Sequence, residues 1–428
     1  MHEKSKDMKY LLTFISAMLL MVSCKSDDDK QPVTEKAKRT VFVYMAGEND
    51  LSNFTSDDLQ EMISGVGSIP ANSRMLVFAD KADSKTKPFI AQITSNKQQP
   101  LDTLYKYTND FYTSDADCFR EVMERMMTLS PSDEYALILW GHGSGWVVEN
   151  DTIPGPSRRA YGVDNGTNTN SKNGKWMNIT QMARALEGLT PFKFIFADCC
   201  NMGCAEVGYE LRNATEYLIA SPAEIPGLGA PYDKMMAAFY KNGSAMYQGI
   251  IDTYFNYYKD RFKQTTINVG YVGEEELSGF SVPLAVIDTR YIAQLAEATR
   301  DVLTTFAPQY PNEPELNGIP YYLNLDVPVM YDMKAYIQRY ASANDYATWK
   351  KAFDLAVPYS RMSFKWMTIS ATLYYKDFDQ FDMEADGGSV SMFIPQNHTS
   401  YSSGKYAYNK KSNNFGWNRI ISWSRFGW

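Results

Sequence analysis

Histidine is scarce in this chain, whose 428 residues include only His2, His142 and His398. His2 precedes a segment that we expect to be removed, so His142 has one competitor for imidazole chemistry. The CxxC pair typical of zinc sites is also missing, and too few histidines are present to complete such a site. We therefore predict no metal ligands. Calcium binding stays open, because paired loop carboxylates are too common to identify it.

Cysteine is nearly as rare, with five residues: Cys24, Cys118, Cys199, Cys200 and Cys204. An exported chain stabilised by disulfides would spread its cysteines over many loops, whereas three of these fall within six positions. Cys118 lies in a helix-like segment, where we expect it to be a small buried residue. The cluster at 199–204 is better explained by thiol chemistry or by packing.

Excess positive charge and long apolar runs are absent too. The formal net charge is −8, which argues against nucleic acid as a partner. The apolar run at 10–22 is too short to span a bilayer, and it suits a cleaved signal peptide because three lysines precede it. No later run is long enough to cross a membrane.

Residues 1–24 are predicted to be a lipoprotein signal peptide, because Cys24 follows a small residue at the end of the apolar run. This arrangement resembles a bacterial lipobox, in which the thiol is lipidated and becomes the mature N-terminus. Residues 25–39 are mostly polar and are predicted to form a flexible tether, with an acidic cluster that resembles a surface-export signal. We expect a protein of the cell envelope, lipid-anchored to the outer membrane, with surface exposure left open. An ordinary signal peptide with an incidental cysteine is the alternative.

Continuous apolar runs alternate with helical patterns from residue 40 to about residue 220. The strand-like runs occupy 40–45, 75–80, 89–94, 135–140, 192–197 and 217–220, and helical patterns begin near 56, 118, 180 and 201. Such alternation predicts a mostly parallel sheet flanked by helices, an α/β fold. Past residue 232, longer amphipathic stretches mix with β-rich pieces, which predicts an added C-terminal α+β subdomain.

Two of the predicted strands end in chemically active side chains. The strand ending at residue 140 leads into His142 and Gly143, and the strand ending near residue 197 leads into Cys199 and Cys200. Open α/β sheets carry their sites at the carboxyl ends of strands, so an imidazole and a thiol are expected to form a base–nucleophile pair there. The N–H groups of Gly143 and Cys200 are candidates for an oxyanion hole. A helix beginning directly after Cys200 is expected to favour its thiolate.

Each of these residues also has an ordinary structural explanation. A histidine at a strand end can be a satisfied polar residue, and a lone cysteine is often simply buried. Glycines on both sides of His142 allow a peptide backbone to approach closely, which favours a catalytic role. Judged together, the imidazole and the thiol indicate nucleophilic catalysis.

These features resemble the caspase-like clan of cysteine peptidases, in which His-Gly follows one strand and Cys follows a later one. Within that clan, the run Asp198–Met202 is similar to the Asp-Ala-Cys-x-Met motif of the clostripain family. Supporting similarities are Tyr44–Leu51, at the first strand and loop, and Pro226–Gly229, at a Pro-Gly-x-Gly loop. The resemblance implies a caspase-like peptidase domain over 40–300 and a C-terminal subdomain over 301–428.

By the same resemblance, His142 is the catalytic base and Cys200 is the nucleophile. Cys199 stands where the family usually has alanine, which leaves the choice between two neighbouring thiols. Adjacent strand residues point to opposite faces, so only one of the two can face His142. We select Cys200 on the register of the motif.

Members of the family usually cleave after Arg or Lys, and the resemblance implies that Asp198 lines the pocket for that residue. A second acidic residue is expected in the Pro-Gly-x-Gly loop, where this chain has Leu228, and nearby Glu224 is the candidate substitute. Some relatives are activated by self-cleavage between the histidine and the cysteine, which here indicates Arg158 or Arg159 in a long polar loop. The alternative for Asp198 is an ordinary carboxylate at a strand end, and the alternative for Arg158 and Arg159 is a pair of solvated loop arginines. The alternative for the cleavage specificity is a preference for neutral or apolar residues.

The sequence thus predicts a cysteine-type endopeptidase that acts as a monomer on protein or peptide substrates and requires no cofactor. The alternative is a non-catalytic peptide- or glycan-binding surface lipoprotein on the same fold. The presence of both His142 and Cys200 favours the enzyme, since a binding protein needs neither.

Overall fold

The computed structural model of the chain describes residues 35–83, 85–147, 161–166, 174–264, 266–268, 274–323, 328–369, 372–374, 387–396 and 414–428. The strands are β1 (Ala37–Gly47), β2 (Arg74–Lys81), β3 (Phe89–Ile93), β4 (Leu101–Lys106), β5 (Ser132–Trp140), β6 (Tyr161–Asp164), β7 (Lys175–Met177), β8 (Ile195–Asp198), β9 (Tyr217–Ala220), β10 (Thr266–Asn268), β11 (Glu274–Glu276), β12 (Leu284–Asp288), β13 (Tyr331–Asp332), β14 (Tyr359–Arg361), β15 (Trp366–Ile369), β16 (Thr372–Tyr374) and β17 (Ser391–Met392). The α-helices are α1 (Ser52–Ser64), α2 (Ala116–Leu129), α3 (Ile179–Ala185), α4 (Ala205–Glu210), α5 (Tyr232–Met235), α6 (Gly243–Arg261), α7 (Ile292–Phe306), α8 (Met333–Tyr340), α9 (Ala343–Ala356) and α10 (Gly416–Ile421).

A nine-stranded sheet runs through the centre of the described residues in the order β14-β12-β9-β8-β5-β1-β2-β3-β4. Its five middle strands, from β9 to β2, are parallel to one another. The outer strands β3 and β4 on one side, and β12 and β14 on the other, are antiparallel. The predicted α/β fold, with a mostly parallel sheet flanked by helices, is confirmed.

The middle strands are apolar throughout because helices cover both faces of the sheet. In β1, Phe42 and Tyr44 enter one hydrophobic cluster, while Val41, Val43 and Met45 enter the cluster on the opposite face. Side chains alternate between faces along a strand, so an uninterrupted apolar run is the pattern that a doubly covered strand requires.

Strand β1 begins at Ala37, three residues inside the segment predicted to be a tether. Arg39 of this strand is buried and donates to Glu134 at 2.7 Å and to the carbonyl oxygen of Phe239 at 3.0 Å. The guanidinium needs these partners because an unpaired buried charge is costly. The predicted end of the tether at residue 39 was therefore wrong, and residues 37–39 belong to the sheet.

The predicted boundary between residues 300 and 301 falls inside α7. Strand β14, from the C-terminal side of that boundary, pairs with β12 and so extends the central sheet. One hydrophobic cluster also joins Phe42 near the N-terminus to Trp423 near the C-terminus. The helix, the sheet and the hydrophobic core therefore continue across the predicted boundary.

The cysteines of the described residues, Cys118, Cys199, Cys200 and Cys204, are all free thiols. Cys118 lies in the first turn of α2 and is only partly buried. Within the same part of the chain, no helix combines the length and apolar character needed to cross a membrane.

Candidate active site

Strand register brings His142 and Cys200 to the same edge of the sheet. Trp140 of β5 is paired with Asp198 of β8, and each candidate side chain lies two residues beyond its strand. Gly143 follows His142 and packs on the turn that carries Cys200. A Cβ placed on Gly143 would lie 2.5 Å from the carbonyl oxygen of Cys200 and 3.3 Å from the Cys200 nitrogen. Glycine is therefore the residue that permits this contact between the two turns.

The Cys200 thiol is partly buried beneath the segment that follows β9. Its Sγ accepts a hydrogen bond from the N–H of Ile225 at 3.3 Å. Burial, and then the nearby negative charge of Glu224, raise the pKa of Cys200 to about 12. The sulfur is accordingly a protonated thiol at neutral pH in this arrangement.

The His142 imidazole is held by a carboxylate from the loop after β1. Its Nε2 lies 2.7 Å from Oδ1 of Asp50, with 29% of the imidazole and 83% of the carboxylate side chain exposed. This hydrogen bond lowers the pKa of Asp50. Sequence analysis did not single out Asp50, although it lies in the quoted run from Tyr44 to Leu51.

Strand β6 supports the other side of the same turn. The N–H of Gly162 donates to the carbonyl oxygen of His142 at 2.9 Å, and Gly143 forms a bridge with Tyr161. The backbone that carries the imidazole is thus fixed by two neighbouring segments, β6 and the turn at Cys200.

Cys199 and Cys200 lie in different environments, as strand alternation predicts. Cys199 is fully buried in the hydrophobic cluster with Leu139 and Ala197, and its Sγ lies 3.5 Å from the Leu139 carbonyl oxygen. Burial raises its pKa well above the ordinary thiol value.

Helix α4 begins at Ala205, so the expected helix start directly after Cys200 was wrong. The residues between them form a turn in which Asn201 adopts a φ of 61°. The N–H of Asn201 donates to the Ala223 carbonyl at 2.9 Å, and its side-chain amide donates to the Pro222 carbonyl at 2.9 Å. Side-chain and backbone hydrogen bonds shape this turn. We predicted that a helix N-terminus stabilises the Cys200 thiolate, but the N-terminus of α4 lies too far along the chain to do so.

The C-terminal part of the chain also supports this turn. The N–H of Ser391 donates to the Gly203 carbonyl at 3.0 Å, and the N–H of Phe393 donates to the buried carboxyl of Glu206 at 2.8 Å. Residues 391 and 393 therefore support the turn that carries Cys200.

Asp198 is buried, with 3% of its surface exposed. Its carboxylate accepts hydrogen bonds from the N–H of Ala230 at 3.1 Å, the hydroxyl of Tyr232 at 2.8 Å and the hydroxyl of Tyr254 at 3.0 Å. Burial raises its pKa, while these donors lower it. Asp198 therefore anchors the segment after the Pro-Gly-x-Gly loop.

A second carboxylate, which sequence analysis missed, lies beside Asp198. At Gly229, where φ is +62°, a Cβ would lie 3.0 Å from Oδ2 of Asp198 and 3.2 Å from Oδ2 of Asp58. Burial, and then the charge of Asp198, raise the pKa of Asp58 to about 8. The indole N–H of Trp140 donates to Asp58 at 2.5 Å. Asp58 belongs to α1, and its position in an ordinary helical pattern did not indicate that it would lie beside Asp198.

The other predicted substrate-binding residues, Glu224 and Leu228, lie on the segment 224–228, which includes Ile225, the hydrogen-bond partner of Cys200. Glu224 is partly buried and its N–H donates to the Met367 carbonyl at 3.3 Å. Leu228 is 40% exposed. Arg158, Arg159 and Cys24 lie outside the described residues.

Three buried carboxylates lie close to one another at or beyond the ends of β1, β2 and β6. Among the residues that the structure describes, they are the group best suited to hold a metal ion. They belong to Glu48, Asp80 and Asp164, and one oxygen from each lies within 4.8 Å of the others. Burial is the main cause that raises the pKa of both Glu48 and Asp80 to about 9, and the negative charge of Asp164 adds to it.

A thiol and an imidazole at the carboxyl edge of a mostly parallel, helix-flanked sheet are the marks of a caspase-like cysteine peptidase. The chain belongs to the clostripain family, whose family model matches residues 43–428. It is a cysteine-type endopeptidase, and it acts on protein or peptide substrates. Peptidases of this family generally need no cofactor.

Solved structures agree with this family. The chain is similar to a secreted C11 cysteine protease from Bacteroides thetaiotaomicron, solved with an irreversible peptide inhibitor, with 27% identity, a TM-score of 0.71, and coverage of 91% of this chain and 100% of that one. An inactive zymogen C11 protease from Parabacteroides distasonis shares the fold at 22% identity and a TM-score of 0.70, covering 91% and 99% of the two chains. Among proteins with curated functional descriptions, none matches.

Proposed function

We propose that Cys200 is the nucleophile of this peptidase and that His142 is its general base and acid. The observation that supports this most directly is the packing of Gly143 on the Cys200 turn, because it joins the two strand ends that carry the imidazole and the thiol. Cys199 is the less suitable thiol, since its sulfur lies inside the hydrophobic core.

In the first step, His142 takes the Cys200 proton while the sulfur attacks the carbonyl carbon of the scissile bond. The raised pKa of Cys200 favours proton transfer during attack over a preformed thiolate. The N–H groups of Gly143 and Cys200 stabilise the resulting oxyanion. The imidazolium then protonates the leaving amine, and His142 deprotonates the water that hydrolyses the thioester.

Asp50 acts on this chemistry through the imidazole. The Asp50 carboxylate is hydrogen-bonded to Nε2 of His142, so Nδ1 is the nitrogen that exchanges the proton with the thiol. A carboxylate in this position fixes the ring and stabilises the imidazolium as it forms, in the manner of a third member that orients the base. Asp50 is therefore a positioning residue.

Alkylation of the purified mature chain with an iodoacetamide probe tests the assignment. We expect labelling of one thiol, lost in Cys200→Ala and strongly slowed in His142→Ala, with hydrolysis lost in both variants. Cys199→Ala is the matched control and should keep most of the hydrolysis and the labelling. Equal losses in the two cysteine variants would overturn the choice of Cys200.

We propose further that the enzyme cleaves after Arg or Lys. Asp198 and Asp58 place two carboxylates at Gly229, which supplies the second acidic group that the loop lacks at Leu228. Three hydrogen bonds leave Asp198 about one acceptor position for a substrate cation. A guanidinium facing two carboxylates is better compensated than one facing a single carboxylate. Glu224 adds negative charge close to the nucleophile.

A peptide-library cleavage profile tests this specificity. Asp198→Asn and Asp58→Asn should reduce cleavage after Arg and Lys far more than cleavage after neutral residues. Asp57→Asn, which changes the exposed neighbour of Asp58, is the matched control and should leave the profile unchanged. A profile dominated by apolar residues in the wild type would refute the acidic pocket.

We also propose that the enzyme is activated by cleaving its own chain. The enzyme cleaves its own chain after Arg158 or Arg159, so the C-terminal fragment begins at Arg159 or Ala160. N-terminal sequencing of the active species checks this, and the double variant Arg158→Ala, Arg159→Ala should remain a single chain. An intact wild-type chain with full activity would contradict it.

Location is proposed from the N-terminus. Cys24, which lies outside the described residues, carries the lipid that anchors a monomeric enzyme to the outer membrane of the cell envelope. Cys24→Ser should release the protein from membrane fractions without loss of activity. Persistent membrane association of that variant would show that Cys24 is not the attachment point.

A further inference from the structure

Trp176 is a tryptophan that the core of the protein does not use. The chain has eight tryptophans, and the other seven belong to, or pack against, the two hydrophobic clusters that the described residues form. Trp176 is half-buried and belongs to neither cluster, although its neighbour Met177 lies in one of them. A large aromatic side chain is usually placed either in a core or at a binding surface, so Trp176 is a candidate binding residue.

The ring of Trp176 lies beside the imidazole of His142. The two ring centroids are 6.1 Å apart, with an angle of 48° between the ring planes. Trp176 is only partly covered, and 29% of the His142 side chain is exposed, so a bound peptide can reach both rings. An apolar surface therefore lies next to the proposed catalytic base.

The hairpin of β6 and β7 fixes Trp176 in this place. Strand β7 pairs with β6 through Met177 and Tyr161, which are both buried in the core. On the other side of Trp176, the ammonium of Lys175 lies 3.8 Å from the centre of the Tyr112 ring. Successive side chains of a strand alternate between faces, so the contacts of Lys175 and Met177 turn Trp176 to the opposite face.

The chemistry assigns the Trp176 side of the site to the leaving group. His142, as the proposed general acid, must approach the amine nitrogen of the departing peptide to about 3 Å. The side chain of the residue that carries this nitrogen begins two bonds further on, at about 2.5 Å from the nitrogen. A ring centred 6.1 Å from the imidazole is therefore within contact distance of that side chain.

A direct electrostatic effect of Trp176 on the imidazolium is the weaker explanation. An aromatic ring stabilises a cation that lies over its face within about 6 Å of the centroid, and His142 lies at the outer limit of that distance. Asp50 already holds the imidazole through a hydrogen bond of 2.7 Å. Contact with the substrate therefore explains the exposed part of the indole better.

We propose that Trp176 binds the side chain of the first residue of the leaving peptide and gives the enzyme a preference for large apolar residues at that position. Aromatic and long aliphatic side chains bury apolar area against an indole, whereas glycine has no side chain to bury. The inference rests on the proposed function, because the role of His142 places the leaving amine beside Trp176. Trp176 determines specificity and takes no part in bond breaking.

Fluorescence-quenched peptides that differ only in the first leaving residue test this preference. All share the best sequence before the scissile bond, taken from the cleavage profile, and the varied residue is glycine, leucine or phenylalanine. The wild type should have a kcat/KM about tenfold higher for leucine and phenylalanine than for glycine, and Trp176→Ala should reduce this ratio to about two. Trp176→Phe should keep most of the preference. Lys175→Ala changes the exposed neighbour on β7 and is the matched control, with the wild-type preference.

A methyl ester with the same acyl part separates substrate binding from an effect on the imidazole. Its leaving group is methanol, which has no side chain, so Trp176→Ala should keep the wild-type kcat/KM and pH profile for the ester. Retained ester hydrolysis also shows that the variant is folded. A parallel fall in ester and peptide hydrolysis, or a shifted pH profile, would show that Trp176 acts through His142 and would overturn the proposal.

Capture of the acyl-enzyme by amines gives a second measurement, which the wild type alone can supply. An amino-acid amide takes the place of water: its nitrogen attacks the thioester carbonyl, the C–N bond forms as the C–S bond breaks, and the amine proton returns to Cys200 through His142. At equal concentrations of free amine, phenylalanine amide should capture the acyl-enzyme about fivefold better than glycine amide. Equal capture by the two amides would refute a binding site for the apolar side chain.

Failure of the inference and failure of the proposed function give different results. If His142→Ala retains hydrolysis, the proposed mechanism falls, and the placement of the leaving group beside Trp176 falls with it. If His142→Ala is inactive but Trp176→Ala keeps the wild-type preference, the mechanism stands and only the role of Trp176 is overturned.

Discussion

Replacing Gly143 with alanine tests how closely the two catalytic turns must meet. The added Cβ would lie 2.5 Å from the carbonyl oxygen of Cys200 and 3.1 Å from Cβ of Cys199. Real Cβ atoms essentially never approach a neighbour to less than 3.0 Å, so the Cys200 turn must retreat by about half an ångström at the least. The obstructing atom is backbone, which cannot rotate away as a side chain would.

Two separate costs follow from that shift. Forcing extra volume into a packed contact destabilises a protein by roughly 1–3 kcal/mol. The N–H groups of Gly143 and Cys200 would also move away from the oxyanion, and losing one such donor lowers kcat by about 10²–10³-fold. We therefore expect Gly143→Ala to lower kcat/KM about 100-fold, with only a moderate fall in Tm.

Alkylation separates these two effects. Reaction of Cys200 with iodoacetamide develops no oxyanion, so its rate should fall much less than kcat/KM for a fluorogenic peptide. Gly67→Ala is the control, since a Cβ at that glycine meets nothing within 4 Å. A Gly143→Ala enzyme with wild-type kcat/KM and Tm would refute the reasoning, and parallel losses of alkylation and hydrolysis would refute the oxyanion role.

Three further outcomes are expected. Asp50→Asn should lower kcat about two- to fivefold with little change in KM, because it weakens an exposed charged bond to His142 worth about 0.5–1 kcal/mol, and an unchanged kcat would remove the positioning role. Burial raises the pKa of Glu206 to about 7 in the folded protein. The neutral carboxyl therefore contributes its full stabilisation to the free energy of unfolding at pH values below the unfolded pKa. This contribution is lost as the pH rises through about 7. Glu206→Gln should then gain on the order of 2 kcal/mol over the wild type between about pH 5 and pH 8, measured by urea unfolding, and a pH-independent difference would contradict this. Arg39→Ala should cost roughly 3 kcal/mol because it leaves the partly buried Glu134 without its partner, with kcat/KM nearly unchanged; a Tm equal to that of the wild type would disprove it.

The sequence predicted the middle of the sheet because that part of the fold has a strong local signal. Strands covered on both faces need continuous apolar runs, and the run at 217–220 coincides with β9. The carboxyl-edge rule then placed His142 and Cys200 at neighbouring strand ends, where the register puts them.

The remaining features depend on contacts between distant residues. Strand β14 has three partly buried residues and joins the sheet only through β12. Asp50 is an exposed loop carboxylate, and Asp58 is a polar residue in a helix, so neither differs in sequence from a solvated side chain. The start of α4 was misplaced because Asn201 forms its turn with residues 222 and 223, which no local pattern reveals.

The support that Ser391 and Phe393 give to the nucleophile turn has a consequence for biosynthesis. The carboxyl of Glu206 and the N–H of Phe393 are separated by 187 positions in the chain. A growing polypeptide therefore carries its thiol out of the ribosome long before the segment that backs it has been made. The Cys200 turn therefore lacks this backing until residues 391 and 393 have been synthesised.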